Sequence, residues 1–234
     1  MSLILVTGAS TGLGLATAQA LTDDGHDVVV HARVLSRVPP GGWRGTLTGD
    51  LTDVDAVKQL SREADEFGRF DAVVHNAGAL HSPDAVRVNT IAPYVLTASM
   101  HRPERLIYLS SSMHRGGGTD LRGLRSGSGS YSDSKLWVTA MTLALATRWP
   151  DALVHAVDPG WVPTRMGGSG APDDLREGHL TQVRLSTAES ITPRTGGYWH
   201  HLSTQRPAAA AADSIFHEHL LAALAETTGV TLAR

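Results

Sequence analysis

Leu3-Ile4-Leu5-Val6-Thr7-Gly8-Ala9-Ser10-Thr11-Gly12-Leu13-Gly14 opens the chain, and an Ala- and Leu-rich run continues from it to about Asp23. Leu3 to Val6 is a short apolar run ending at a turn, the pattern of a buried strand. The run to Asp23 has helical character. Strand, glycine loop, helix is the order a phosphate site requires. Glycines let the backbone approach the phosphates, and the helix N-terminus offers unpaired N–H groups and positive potential. The spacing is Gly-x-x-x-Gly-x-Gly. That is neither the Gly-x-Gly-x-x-Gly dinucleotide fingerprint nor a P-loop, which needs Gly-Lys-Ser/Thr. A tight turn that only packs helix against strand competes with a binding role. The place of the loop, directly after the first strand, favours cofactor binding and nominates Gly8, Ser10, Thr11, Gly12, Leu13 and Gly14.

The strand–helix alternation continues outward from this loop. Asp27 to Ala32 predicts a second strand, ending His31-Ala32-Arg33. In dinucleotide sites an acidic residue at this strand end holds the ribose 2′-OH, whereas an arginine suits a 2′-phosphate. Asp27 lies at the wrong end of the strand, so Arg33 points to a phosphate, with Arg37 near enough to assist; a solvated loop arginine is the alternative. Val34 to Trp43 reads as irregular, so the helix expected between strands two and three is shortened or lost. Arg44 to Gly49 predicts the third strand. Asp50 and Leu51 at its end could border an adenine ring, or Asp50 could merely cap a turn. A helix starts at Thr52 or Asp53 and runs to about Glu66.

Asp71 to Val74 predicts the fourth strand, closed by His75-Asn76-Ala77-Gly78, small residues that permit close approach by a ligand. The helical stretch from Ser82 to about Met100 contains Asn89, a poor helix-interior residue, and Pro93, which leaves a carbonyl one turn earlier without its donor. Together they predict a local kink at Asn89. Arg105 to Leu109 is the fifth strand and runs into Ser110-Ser111-Ser112-Met113-His114. A polar, glycine-rich loop (Arg115 to Ser130) leads to Tyr131-Ser132-Asp133-Ser134-Lys135 and a helix to about Trp149, with Ser128 or Ser130 as its cap. Tyr131 and Lys135, four apart, share a helix face. An ammonium beside a phenol favours the phenolate, which fits the pair to proton transfer, although this spacing alone is common. Ala152 to Val157 is the sixth strand, followed by Asp158-Pro159-Gly160-Trp161-Val162-Pro163-Thr164. The loop-like and weakly periodic span at about 161–190 is the candidate for a mobile lid. Gly197 to Leu202 is a short last strand, and Ser214 to Thr227 a final helix.

Composition narrows the field. The 234 residues suffice for one α/β domain with a real core. A net charge of -3 supplies no basic field for nucleic acid. With no cysteine, disulfides, thiolate metal sites and Cys nucleophiles are excluded. The 12 histidines show no His-Glu-x-x-His; His200 and His201, adjacent on a strand, should face opposite ways, and no metal is expected. No apolar run of about 18 residues marks a membrane span, and no signal sequence precedes the first strand. The expectation is a cytoplasmic protein.

In this order, Thr7-Gly8-x-x-x-Gly12-x-Gly14, Asn76-Ala77-Gly78, Asn89, Ser111, Tyr131-x-x-x-Lys135 and Pro159-Gly160 resemble the short-chain dehydrogenase/reductase family over nearly the whole chain. Leu106 to His114 and Pro159 to Gly168 resemble its carbonyl-reductase/retinol-dehydrogenase-like branch. The resemblance implies a single Rossmann domain, 1–234, a doubly wound parallel sheet of about seven strands flanked by helices, using NAD(P) as hydride carrier. It implies that Ser111 holds the substrate oxygen, that Tyr131 exchanges a proton with it, and that Lys135 binds the nicotinamide ribose and lowers the Tyr131 pKa. Asn89 would hold a water linking Lys135 to solvent, and Thr164 would touch the cofactor, joined there by Pro159, Gly160 and Val162. Two departures are His75, where Asn is usual, and the short stretch from Gly78 to Asn89. With that helix trimmed, a monomer or dimer is expected rather than a tetramer. The sequence therefore implies reversible reduction of a ketone or aldehyde with NADP(H) favoured over NAD(H). A catalytically silent NADP(H)-binding sensor is the rival reading.

Overall fold

The computed structural model of the chain describes residues 1–81 and 84–233. Eight strands form one sheet: β1 Leu3–Val6, β2 Asp27–Ala32, β3 Gly45–Thr48, β4 Ala72–His75, β5 Arg105–Leu109, β6 Leu153–Asp158, β7 Tyr198–His200 and β8 Ser203–Gln205. Their spatial order is β3-β2-β1-β4-β5-β6-β7-β8. All neighbours are parallel except β7 and β8. The chain winds outward from β1 in one direction and from β4 in the other. The crevice for a ligand therefore opens at the carboxyl ends of β1 and β4, where the order reverses.

Successive strand side chains point to opposite faces and are buried on both. Leu5, Val29, Val73, Leu106 and Val154 join one core layer. Ile4, Val28, Val30, Val74, Ile107 and Val157 join the other. On the first face lie α2 Val54–Asp65, α4 Ala92–Ser99, α6 Tyr131–Arg148 and α8 Ser214–Thr228; on the second lie α1 Gly12–Asp23 and α7 Leu175–Thr187. Both faces covered is what a parallel sheet needs, and it accounts for the near-continuous apolar runs of the inner strands.

Local sequence sets the helix ends. Asp53 caps α2 by accepting from the N–H groups of Asp55 (2.8 Å) and Ala56 (3.3 Å). Ser130 caps α6: its hydroxyl accepts from Asp133 N–H at 3.1 Å while the Asp133 carboxylate accepts from Ser130 N–H at 2.9 Å, a capping box. Most of α6 is buried, covered partly by α8 and by the tight turn at Ala209–Ala212, so it lacks a polar face. The kink expected at Asn89 is a π-turn over Arg87–Ile91, between α3 Asp84–Val86 and α4, with Pro93 in the first turn of α4. Of the helical stretch expected from Ser82, Ser82 itself lies outside the described residues.

Three features differ from expectation. The glycine-rich loop contains a short helix, α5 Arg122–Ser126. The weakly periodic part of the span expected to be a mobile lid is an ordered helix, α7, whose Gln182 and Val183 are buried and whose Gln182 Oε1 accepts from the Thr17 hydroxyl of α1 at 2.6 Å. The sheet has eight strands, because the last one folds back as the β7–β8 hairpin. Its turn holds His201 and Leu202 at φ of 43° and 64°. Both are left-handed, as a tight hairpin turn demands. This turn also corrects the expectation for the His200-His201 pair. The strand ends at His200, so the two rings do not diverge; they stack with centroids 3.8 Å apart.

Candidate active site

A cleft of about 710 Å³ opens at the carboxyl ends of β1–β6, lined by the glycine loop, Arg33, Arg37, Asp50, Leu51, Asn76 to Leu80, Tyr131, Lys135, Pro159 and Thr164 to Met166. Its cofactor side is built from close backbone approaches. Gly8 has φ +65°, and a Cβ there would meet the Ala77 Cα at 2.7 Å. A Cβ on Gly14 would collide with the Asn76 side chain and the Gly8 carbonyl. Asn76 Nδ2 donates to the carbonyls of Thr7 (2.9 Å) and Gly8 (3.3 Å), and Ala77 N–H donates to the Thr7 hydroxyl (3.1 Å). These bonds lock the β1 loop to the β4 loop across the switch point. The N-cap of α1, Thr11, makes no side-chain capping bond, and the first turn carries no acidic residue. Its N–H groups and dipole therefore face the cleft uncompensated, as an anion site needs.

His31 belongs to this side, and the sequence reading missed it. Its ring is 2% exposed. Nδ1 accepts from Gly8 N–H at 3.3 Å, so Nε2 carries the proton and donates to the Gly49 carbonyl at 3.1 Å. One neutral imidazole thus ties together the ends of β1, β2 and β3. Burial holds its pKa below the usual histidine value, against the opposing bond to Gly49 and the charge of Asp50. A histidine interrupting the apolar run Val28-Val29-Val30 was the only signal available. Arg33 is exposed and lines the cleft with Arg37. Asp50 Oδ1 accepts from the backbone and hydroxyl of Thr52 at 2.9 and 2.8 Å, so it caps a turn while still lining the cleft. Asp50 titrates below the ordinary carboxylate range, chiefly through the Thr52 N–H.

The chemical side gathers at β5, β6 and the start of α6. Ser110 points away, its hydroxyl 2.6 Å from Thr139 Oγ1 in the core. Ser112 is exposed. Ser111 is the member of the triplet whose hydroxyl lies near enough to act on the Tyr131 pKa; its Oγ accepts from Met113 N–H at 3.2 Å. The Lys135 ammonium lies 5.5 Å from the Tyr131 ring centroid and donates to the Leu109 carbonyl at 2.7 Å. Burial lowers the Lys135 pKa to about 8, with Asp158 pulling the other way. Tyr131 does not follow the expectation of a lowered pKa. Its burial raises the pKa, the Ser111 hydroxyl opposes this, and Asp158 adds to the rise. Desolvation of the phenolate outweighs an ammonium that is not in contact with the phenol oxygen.

The remaining expected residues divide into those in the cleft and those behind it. Pro159 and Thr164 line it. Thr164 packs beside Gly12, where a Cβ would meet its Cγ2 at 3.2 Å. Val162 is 4% exposed and turned against Gly178, and Gly160, at φ +80°, lies against Asp173; neither side faces the cleft. Asn89 is 2% exposed and its amide is hydrogen-bonded through both its oxygen and its nitrogen. Oδ1 accepts from Ala79 N–H at 2.8 Å, and Nδ2 donates to the Ala79 carbonyl (2.8 Å) and the Ser134 hydroxyl (2.9 Å). The Asn89 side chain therefore clamps the β4 loop to α6. His75 packs into the α4 face, stacked on Tyr108 at 4.5 Å with Nε2 3.1 Å from the Thr97 hydroxyl; burial drops its pKa to about 3. Two more buried groups escaped the sequence reading. His114 Nε2 accepts from Ala208 N–H (2.9 Å), leaving Nδ1–H to donate to the Ser111 carbonyl (2.7 Å). Asp158 closes β6.

The comparisons with known proteins agree with this geometry. The family model described as short chain dehydrogenase matches residues 2–85. Short-chain dehydrogenase chry4 of Gibberella zeae is 34% identical over 258 positions, covering 99% of this chain and 99% of that protein. Short-chain dehydrogenase chyC of Penicillium rubens is 36% identical, covering 85% of this chain and 86% of that protein. The solved structure of a blue fluorescent protein from a metagenomic library, in complex with NADPH, superposes with a TM-score of 0.70 at 23% identity, over 85% of this chain and 95% of the other. Among the described residues no helix is long and apolar enough to cross a membrane. The glycine cradle, the open helix N-terminus and the relatives fit one assignment: the chain belongs to the short-chain dehydrogenase/reductase family of NAD(P)-dependent oxidoreductases.

Proposed function

We propose that this protein catalyses reversible reduction of a ketone or aldehyde to an alcohol with NADP(H) preferred over NAD(H), using Ser111, Tyr131 and Lys135. The observation that carries this reading is that Tyr131 and Lys135 line one end of the cleft with the Lys135 ammonium 5.5 Å from the Tyr131 ring centroid, and that Ser111 stands beside them where β5 ends, its hydroxyl acting on the Tyr131 phenol. The nicotinamide, when bound, supplies or accepts the hydride. The chain does the rest. The Ser111 hydroxyl holds the substrate oxygen, and Tyr131 passes it a proton during reduction and retrieves one during oxidation. A raised Tyr131 pKa keeps the phenol protonated at neutral pH, the form reduction needs. Lys135 binds the nicotinamide ribose and, being buried and cationic, favours the phenolate once the proton has left. Asn89 acts by position, holding α6 and the β4 loop at the spacing the set requires.

The cofactor preference is supported by Arg33 and Arg37 in the cleft at the end of β2, where no carboxylate awaits a ribose hydroxyl. We read the whole chain as one unit that binds cofactor and substrate, monomeric or dimeric, with α8 covering α6. Its movable cover is narrowed to residues 161–174, since α7 packs firmly on α1. The deciding experiment is NADPH consumption over a panel of ketones and aldehydes. Turnover with several members is expected; cofactor binding without turnover across the panel would move the protein to the sensor reading.

A further inference from the structure

Asp158 is a buried carboxylate with no role in the mechanism above, yet it stands on the catalytic rim. It follows Val157, the partner of Leu109 in the β5–β6 register, and Ser110 N–H donates to the Val157 carbonyl at 2.7 Å. This sets it beside the Leu109 carbonyl that holds Lys135 and beside the Ser110-Ser111 turn. The residue is 5% exposed. An unpaired carboxylate so placed would be costly, and here it is held on both oxygens. Oδ1 accepts from Gly160 N–H and Oδ2 from the Tyr198 hydroxyl, each at 3.1 Å. His200 Nδ1 lies 3.9 Å from Oδ2 but 3.2 Å from the Asp158 carbonyl, which takes its hydrogen bond. Two hydrogen bonds from uncharged donors fix the carboxylate in place.

Resting on the catalytic reading of Tyr131 and Lys135, we propose that Asp158 is a positioning residue. Its anchored charge favours the protonated forms of both groups and so sets the alkaline limit of carbonyl reduction. The neighbouring charges have other commitments. On α6, Asp133 is spent in the capping box and on Gly118 N–H. After β5, His114 has both nitrogens bonded, and Arg115 donates to the Arg206 carbonyl. On β7 and its turn, Tyr198 and His200 bond Asp158 itself, while His201 lies 3.6 Å from Glu177 and 3.3 Å from the Pro159 carbonyl. In the π-turn Arg87 is exposed, and Asp84 of α3 lines the far end of the cleft. That leaves Asp158, which the β5–β6 register sets beside the Leu109 carbonyl holding Lys135 and beside the turn into Ser111, and whose charge acts in the same direction on Tyr131 and Lys135. The sign is the same for both. A nearby negative charge makes loss of a proton harder, so both groups keep theirs to higher pH than they would without it. Reduction needs Tyr131 protonated and Lys135 charged; removing Asp158 should therefore bring the alkaline limb to lower pH.

The test is the pH profile of NADPH oxidation with an aromatic 1,2-diketone, together with an ultraviolet titration of Tyr131, isolated by difference against Tyr131→Phe. Asp158→Asn keeps the shape and removes the charge. The ratio of kcat/KM at about pH 9 to that at about pH 6 should fall about tenfold, and Tyr131 should ionise at lower pH. Tyr198→Phe breaks the anchoring bond but keeps the charge, and should leave the limb in place. Should Asp158→Asn fold poorly, Asp158→Ser must give the same shift. A normalised Asp158→Asn profile that superposes on wild type, or a Tyr198→Phe profile that reproduces the shift, would overturn the proposal. The catalytic reading fails on a different result, undiminished turnover in Tyr131→Phe, and the titration judges Asp158 even then.

Discussion

The two halves of the cleft are made in different ways. At the ends of β1 to β4 the surface is backbone. Gly8 and Gly14 leave no room for a Cβ, and Asn76, Thr7 and His31 spend their hydrogen bonds on loop amides and carbonyls. At the ends of β5 to β7 the surface is side chain. Ser111, Tyr131 and Lys135 form it, and behind them stands a buried layer of His114, Asp158 and Tyr198, with the half-buried His200 at its edge. A backbone surface recognises the parts of a cofactor that never change, its phosphates and riboses. A side-chain surface with buried charges can tune proton affinity. The division predicts that damage to one half should show in chemistry and damage to the other in binding, with Lys135 alone answering to both.

The sharpest break would come at Tyr131. Tyr131→Phe removes one hydroxyl and leaves the ring that packs beside Lys135. Proton transfer by a positioned group contributes about 10²–10⁴-fold, so kcat should fall by at least about that lower figure with cofactor affinity unchanged. Ser111→Ala should also cost turnover and spare cofactor binding. Stopped-flow turnover and fluorescence titration of NADPH separate the two quantities. A Tyr131→Phe protein that loses cofactor affinity in proportion to turnover would erase the division.

Lys135 sharpens the comparison through stability. Its folded pKa of about 8 lies below the ordinary lysine value of 10.5 because burial disfavours the charge. The unfolded chain therefore holds this proton more tightly than the fold. The resulting penalty is fully present below about pH 8 and disappears as pH rises through the unfolded value. Each pKa unit corresponds to about 1.4 kcal/mol, and the bond to Leu109 returns part of that. Lys135→Met should abolish turnover, weaken cofactor binding and raise the free energy of unfolding at neutral pH by on the order of 1 kcal/mol or more, with the gain shrinking above pH 9 or so. Equal stabilities across that range would show that the lysine is not desolvated.

What could be read in the sequence follows the same division. Backbone surfaces are written in glycines and small residues at strand ends, so the β1 and β4 loops, the kink at Asn89 and the cap at Ser130 were legible one segment at a time. Asp158 and His31 were not, because a buried polar residue takes its meaning from partners distant in sequence: Tyr198 for one, Gly8 and Gly49 for the other. The β7–β8 hairpin was hidden for a different reason. Its left-handed turn is occupied by His201 and Leu202, without the Asn or Gly that announces such a turn. Helix α7 was hidden because its buried face mixes Val183 and Leu185 with the small or polar Gly178, Thr181, Gln182 and Ser186, and the Thr17 that Gln182 bonds lies far away in the chain.

On the backbone side the expected effects are smaller and fall on binding. Arg33→Ala removes a cation at the end of β2. A hydrogen bond to a charged group contributes about 1.5–3 kcal/mol, so NADPH affinity should drop about tenfold or more, with NADH affinity and kcat nearly unchanged. Calorimetric titration with each cofactor checks this, and an equal loss for both would remove Arg33 from the 2′-phosphate site. The double variant Arg33→Ala/Arg37→Ala tells whether the two share the load.

The smallest effect concerns residues 161–174, which join the two halves from above. This segment is held mostly by bonds within itself. Trp161 N–H donates to the Asp173 carboxylate at 2.5 Å, Trp161 Nε1 to the Gly167 carbonyl at 2.8 Å, and Gly167 N–H to Thr164 Oγ1 at 3.2 Å. Trp161 is 60% exposed and Met166 43% exposed, while the adjoining helix α7 is anchored to α1. Exposed backbone with few buried apolar contacts opens at low free-energy cost. Thr164 and Met166 both line the cleft, so a cofactor that touches them should draw the segment down. Hydrogen exchange should then show NADPH slowing the amides of 161–174 by severalfold while leaving those of α7 almost as they were. Protection spread evenly into α7 would make the cover larger than this segment; protection confined to the glycine loop would leave the two halves of the cleft without a shared cover.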